Sequence, residues 1–273
     1  VKVALRPQVA SSSCVGALIS ENQEELVDLC RTLSGKKLNW GHVSELRMPF
    51  WIRSDALLAK VAEEIGQTLF RESREILNCA LFFIIAKKRK LLRNLAATDQ
   101  SISGKKFFSF LNTHDFTTER GRRAAEKNAF SLLRKCKYCA AAAFFLLPDP
   151  PFLTAAVETL FSKMEDPDLA FLVSRLMESG DVAENSPGLS RGLGVVGGGG
   201  GYATSSGGVS HSVVDGGFFT WFPQLKELSS NLIVDRILPT SLDDSGFVAL
   251  LLMWLSKPEE ARVLLSGVAS LQS

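Results

Sequence analysis

The sequence predicts an all-α protein, an irregular α-solenoid of stacked helical hairpins carrying a long glycine-rich disordered loop. Three observations point that way. Apolar residues recur at three- and four-residue spacing along most of the chain, and helix-start signals stand ahead of several of these stretches. No stretch alternates apolar and polar residues for long enough to make a strand.

In chain order, Ser20 and Gln23 have the spacing of a capping box ahead of ELVDLCRTL. Leu57, Val61, Ile65 and Leu69 then recur every four residues behind Ser54, a residue type that caps free amides. Further helices are predicted at about 73–89, 104–111, 119–135, 137–147, 151–162 and 167–178. Two of them are expected to open on Asp-Pro, at Asp149-Pro150 and Asp166-Pro167. The aspartate would cap, and the proline needs no donor in the first turn. The same device recurs at Lys257-Pro258. Connections of a few residues make antiparallel hairpins, and Ala140 to Ala143 offer a surface on which a neighbouring helix comes close. No strict repeat period accompanies them.

Residues 183–217 hold 12 of the 21 glycines and few large apolar side chains. Burial there cannot offset the entropy of ordering, so the segment reads as a flexible linker. The expected organisation is a helical region over 1–182, the linker over 183–217, and a continuation of the helical array over 218–273.

With 273 residues, 46% of them hydrophobic, the chain is too apolar to be disordered throughout. It begins at Val1 and so reads as a piece of a longer protein. The longest uncharged apolar run, 246–255, is far short of the roughly 18 residues a membrane-spanning helix needs. Five cysteines, an odd number lying mostly among helix formers, suit reduced thiols rather than a disulfide framework.

The net charge of +2 hides an asymmetry: 16 basic and 6 acidic residues over 71–137, against 7 basic and 15 acidic over 138–273. Such a chain attracts an acidic partner or docks its own halves. On the 119–135 helix, Arg120, Arg123, Lys127 and Arg134 fall near one face, with Ala124, Ala125, Ala129, Leu132 and Leu133 on the buried side. These four cations are the candidate partner-binding residues. Lys87-Lys88-Arg89-Lys90 reads as cations at the end of an apolar helix.

Three motifs resemble catalytic or ligand sites without their context. Gly192 to Gly197 spells GxGxxG, but no strand precedes it and no helix follows. Gly188 to Gly192 spells GxSxG around Ser190, with His211 and Asp215 downstream in the wrong order. Cys136-Lys137-Tyr138-Cys139 is a single CxxC, where zinc needs two more ligands. No catalytic, cofactor-binding or metal residue is nominated, and no cofactor is expected.

The stretches WIRSDALLAKVAEEIGQTLF (51–70), ILNCALFFIIAKKRKLLRNL (76–95), KNAFSLLRKCKY, AAAFFLL and DPDLAFLVSRLMES follow one another as a connected series. Together they resemble the helical region of the RAVE-complex large subunit and its relatives, the DmX-like or rabconnectin-3 proteins. Trp40, Leu46 and Phe50 extend the likeness upstream, and about 223–266 shares it more loosely. The resemblance implies a cytoplasmic, non-enzymatic scaffold that supports V-ATPase assembly and organelle acidification. Its implied partners are V-ATPase subunits and other RAVE-type subunits, and it would reach endomembranes only through them. A helical trafficking adaptor is the alternative. A nucleic-acid-binding protein using the basic segment is a weaker one, since no recognition module accompanies the charge.

Overall fold

The computed structural model describes residues 11–33, 35, 37–179, 225–257 and 259–264. These residues form helices and no strand. The helices are α1 (Ser11–Ile19), α2 (Gln23–Leu33), α3 (Trp40–Glu45), α4 (Met48–Trp51), α5 (Asp55–Ser73), α6 (Ile76–Ile85), α7 (Arg89–Thr98), α8 (Ile102–Thr113), α9 (Glu119–Leu133), α10 (Tyr138–Leu146), α11 (Leu153–Glu158), α12 (Pro167–Glu178), α13 (Glu227–Leu232), α14 (Leu238–Thr240) and α15 (Ser245–Trp254). A wider π turn over Thr159–Lys163 prolongs α11, and another over Ile233–Ile237 joins α13 to α14.

Neighbours in sequence pack as neighbours in space: α5 on α6, α6 on α7, α7 on α8, α9 on α10, α10 on α11 and α11 on α12. This is the expected all-α solenoid of hairpins. Its centre is α6, α10 and α12, whose sequences ILNCALFFII, YCAAAAFFL and PDLAFLVSRLME are apolar nearly all round and are buried nearly all round. Ala140 to Ala143 are all buried, and α10 meets α6 and α9 there. The amphipathic α5, α7 and α9 cover this centre with one face each.

The array also closes on itself. Helix α15 returns to pack on α1 and α4 rather than extending the stack outward. Phe50 of α4 stacks flat on Phe171 of α12 (ring centroids 4.5 Å apart) and meets the edge of Phe247 of α15 at 5.0 Å.

Several helix starts follow their sequence signals. Ser54 Oγ accepts from the Leu57 N–H at 3.2 Å, and Asp166 Oδ1 from the Leu169 N–H at 2.9 Å. Others depart from expectation. Asp149 caps nothing: α11 begins at Leu153, past the cis Asp149-Pro150 bond. The tandem proline explains this, because Pro151 drives Pro150 out of helical backbone and delays the helix. The capping box at Ser20 and Gln23 does not form either. Gln23 turns inward, its amide donating to the Ala17 and Trp51 carbonyls and accepting from the Arg53 N–H at 2.8 Å. Burying a side-chain amide among three backbone groups satisfies more of its bonds than an exposed cap would.

The helix expected over 73–89 is two pieces. After Ile85 the chain turns at Lys87 (φ 59°), with the Lys88 N–H reaching back to the Phe83 carbonyl at 2.8 Å. Lys87 and Lys88 therefore follow the end of α6, whereas Arg89 and Lys90 open α7. The same closure ends α9 at Cys136 (φ 55°) and α15 at Ser256 (φ 58°), none with the usual glycine. A left-handed residue bearing a Cβ costs about 1–2 kcal/mol. Cys136 is exposed. Cys136→Gly is therefore expected to raise stability by roughly 0.5–1 kcal/mol, read as a higher urea midpoint. An unchanged or lower midpoint would contradict the strain.

The expected linker and the GxGxxG and GxSxG stretches lie outside the described residues, as does Pro258. No helix among the described residues is long and apolar enough to cross a membrane.

Candidate functional site

Two sets of charges stand out, one inside and one outside. The inner set belongs to α12 and the turn before it. Asp166 caps α12 with one oxygen and accepts from the Trp40 indole N–H at 2.6 Å with the other. Asp168 accepts from Ser44 Oγ at 2.8 Å and pairs with Arg47. Burial pushes the Asp168 carboxyl above the usual carboxylate range, against the pull of Arg47 and Ser44.

Arg175 is the most enclosed, its side chain 2% exposed. Its Nε donates to Asp55 Oδ1 at 2.7 Å, and Nη2 lies 2.7 Å from the same oxygen in the ion pair. Nη1 donates to the Pro49 and Ile52 carbonyls at 3.0 and 2.6 Å, and Nη2 also to the Arg53 carbonyl at 2.6 Å. These hydrogen bonds use four of the five guanidinium N–H groups, and the ion pair lies beside the fifth. The charge also lies 4.5 Å over the Trp254 ring, whose indole N–H donates to the Phe50 carbonyl at 2.5 Å. Glu178, at the end of α12, accepts from the Leu228 and Ser229 amides at 2.8 and 2.7 Å. That carboxylate satisfies the free donors at the start of α13. Asp166 and Asp168 hold α3, Arg175 the segment from α4 to the start of α5, and Glu178 the start of α13, so the set is a structural clamp.

A second buried acid works similarly. Asp99 accepts from the Ile76 N–H at 2.8 Å, capping α6 from the far end of α7, and from the Ser101 N–H at 2.8 Å. Burial raises its pKa, but these hydrogen bonds outweigh burial and hold the carboxyl below its usual range. An acid with a lowered folded pKa stabilises above its unfolded pKa of about 4, and that contribution fades as pH falls through the folded value. The stability gap between the wild-type chain and Asp99→Asn is therefore expected to be widest near neutrality and to shrink below about pH 4, as urea midpoints would show. A pH-independent gap would contradict the assignment.

The outer set is on α9. Thr118 caps this helix. The sequence-predicted Arg120, Arg123, Lys127 and Arg134 are all exposed, with Gly121, Ala125 and Ala129 buried beneath. Arg123 pairs with Glu119 at 2.8 Å in an exposed contact, and pairs of this kind contribute little. No ion pair engages Arg120, Lys127 or Arg134 among the described residues. Arg122 points elsewhere, its guanidinium 5.2 Å from the Phe152 ring centre. The face is thus a strip of charge open to an acidic surface.

The CxxC cysteines both line a recess of about 290 Å³ beside Leu77 and Met164, but in different surroundings. Cys136 is exposed on the turn, whereas burial pushes the Cys139 thiol up to about 12. Burial likewise takes Cys79 to about 12 and Cys14 to about 11, so these thiols are poor nucleophiles. All five cysteines are unpaired, and among the described residues no three metal-ligating side chains converge.

The inner clamp escaped the sequence reading because its partners lie some 120 residues away in the chain. One signal was present: Arg175 stands inside LAFLVSRLM, where a charge on an otherwise apolar helix requires a buried counter-charge.

These features define an all-α solenoid with its charges divided between an interior clamp and an exterior cationic strip. A family model described as RAVE protein 1 C terminal matches residues 5–193, and the chain belongs to that family. It is similar to DmX-like protein 1 of Homo sapiens, 31% identical over 175 residues that cover 64% of this chain and 6% of that protein. It is also similar to the Regulator of V-ATPase in vacuolar membrane protein 1 of Saccharomyces cerevisiae, 35% identical over 165 residues, 59% of this chain and 12% of that protein. The protein of the same name in Schizosaccharomyces pombe is 32% identical over 167 residues, 60% of this chain and 13% of that protein. The chain spans a small part of the length of these relatives.

Proposed function

We propose that this chain is a non-enzymatic interaction platform within a V-ATPase regulator, helping the peripheral sector associate with the membrane sector and so supporting organelle acidification. The observation that carries this reading is membership of the RAVE protein 1 C-terminal family, together with relatives named as regulators of V-ATPase. A solenoid presents broad contact area without a deep pocket, which suits a scaffold. In this reading the chain works in the cytoplasm and meets endomembranes through V-ATPase and RAVE-type subunits rather than by insertion. The partner-binding surface is the α9 strip of Arg120, Arg123, Lys127 and Arg134. The organisation into a helical region over 1–182, a linker over 183–217 and a helical continuation over 218–273 belongs to the same proposal.

The test is titration of the purified chain against the isolated peripheral sector of V-ATPase. A parallel titration uses an Arg120→Glu/Arg123→Glu/Lys127→Glu variant shown by circular dichroism to be equally helical. Saturable binding that weakens tenfold or more in the variant is the expected result, since exposed charge sets encounter and complementarity. Equal binding by both would remove the strip from the account. Absence of binding by a folded chain would contradict the platform itself.

A further inference from the structure

A groove of about 540 Å³ runs along the neighbouring flank of α9, between that helix and α8. Its floor includes Phe110 and Leu132, both half-buried, and Ile102 stands on its edge with 75% of its surface exposed. Lys106, Lys135 and Lys137 rim it, all exposed. No carboxylate lines it, and no ion pair engages these three lysines among the described residues. An apolar floor costs free energy while it faces water, and three unopposed cations repel one another. One kind of occupant relieves both.

We infer that this groove docks a short acidic peptide segment of a partner protein, with one or two large apolar side chains seated between α8 and α9 and carboxylates against the three lysines. Charge complementarity selects the acidic character, and the apolar floor selects the anchors. The recess selects a peptide. Apart from Ile102 on the edge, its apolar lining is buried or half-buried while the lysines are exposed, which suits inserted side chains better than a flat bilayer surface. The rings of the groove, Phe107, Phe110 and Phe144, pack on one another rather than standing open for a base. The inference is independent of the V-ATPase reading and of the α9 strip, because these residues sit on another flank of the helix.

The test is selection of random short peptides displayed on phage against the full chain. Counter-selection uses a Lys106→Glu/Lys135→Glu variant matched in helicity. Peptides combining Asp or Glu with Leu, Ile, Phe or Trp are the expected enrichment. A synthetic copy should bind the double variant at least tenfold more weakly, and Ile102→Ser, which leaves the charge untouched, several-fold more weakly. Failure to enrich any peptide over the counter-selection would overturn the inference, as would enrichment of basic or wholly polar peptides, or equal binding to the double variant. Vesicles of phosphatidylserine and phosphatidylcholine serve as the rival probe. Lysine-dependent vesicle binding without acidic-peptide enrichment would make the groove a lipid patch and also overturn it.

Discussion

Arg175→Ala is expected to destabilise the chain by about 3–5 kcal/mol, because it takes from Asp55 its partner in the ion pair and leaves the carbonyls of Pro49, Ile52 and Arg53 without their donor. Whole domains are stable by only about 5–15 kcal/mol, so the variant should lose much of its cooperative unfolding transition in urea. Arg175→Lys should recover little, since one ammonium cannot replace a planar fork that serves three carbonyls and a carboxylate. The loss should be centred where α4, α12 and α15 meet, with Trp254 fluorescence shifting to longer wavelength as its indole leaves the Phe50 carbonyl. A variant less than about 1 kcal/mol weaker than the wild-type chain would show that water replaces the guanidinium freely, and the clamp would be refuted.

Gly121→Ala should be nearly as damaging, for a steric reason. A Cβ on Gly121 would stand 1.8 Å from the Asp115 carbonyl oxygen and 2.6 Å from its carbon. Both are backbone atoms, so no rotamer change relieves the clash. The turn over 114–118 must move, and Thr118, which caps α9 through the Gly121 N–H at 3.2 Å, moves with it. Overpacking of this kind costs about 1–3 kcal/mol, and loss of the cap adds about 1 kcal/mol. The check is again a urea midpoint, with Ala124→Gly on the same helix as a comparison for propensity alone. A Gly121→Ala chain as stable as the wild type would contradict the close approach of this turn to the helix.

What the sequence disclosed, and what it withheld, follows the range of the forces involved. Ser54 and Asp166 are legible because a cap and its amide lie three residues apart. The apolar identity of α6 and α10 is legible because burial on every side demands it. The helix end at Lys87 is not, because its left-handed turn is closed by backbone hydrogen bonds and carries no glycine to announce it, whereas the break at Cys136 falls where the helices expected over 119–135 and 137–147 part. The return of α15 onto α1 was equally hidden: a helix apolar all round is marked as buried but not as buried against anything in particular.

The candidate surface divides the same way. Exposure of Arg120, Arg123, Lys127 and Arg134 follows from helical periodicity within one element, and all four are exposed, three on α9 and Arg134 at its C-cap. The groove beside them needed two helices, since Lys106 of α8 and Lys135 beyond α9 come together only in the folded chain. Asp168 and Arg175, by contrast, are interior struts whose partners lie on segments far away in the chain.

The central claim is that α12 builds the platform and α9 presents it to the V-ATPase peripheral sector. Backbone amide exchange, followed by mass spectrometry on the full chain alone and with that sector, tests both halves at once. The account predicts that peptides from α12 are already slow to exchange in the free chain and unchanged on binding, while peptides over 119–135 slow when the sector is added. Slowing confined to other helices, or no slowing anywhere, would contradict it.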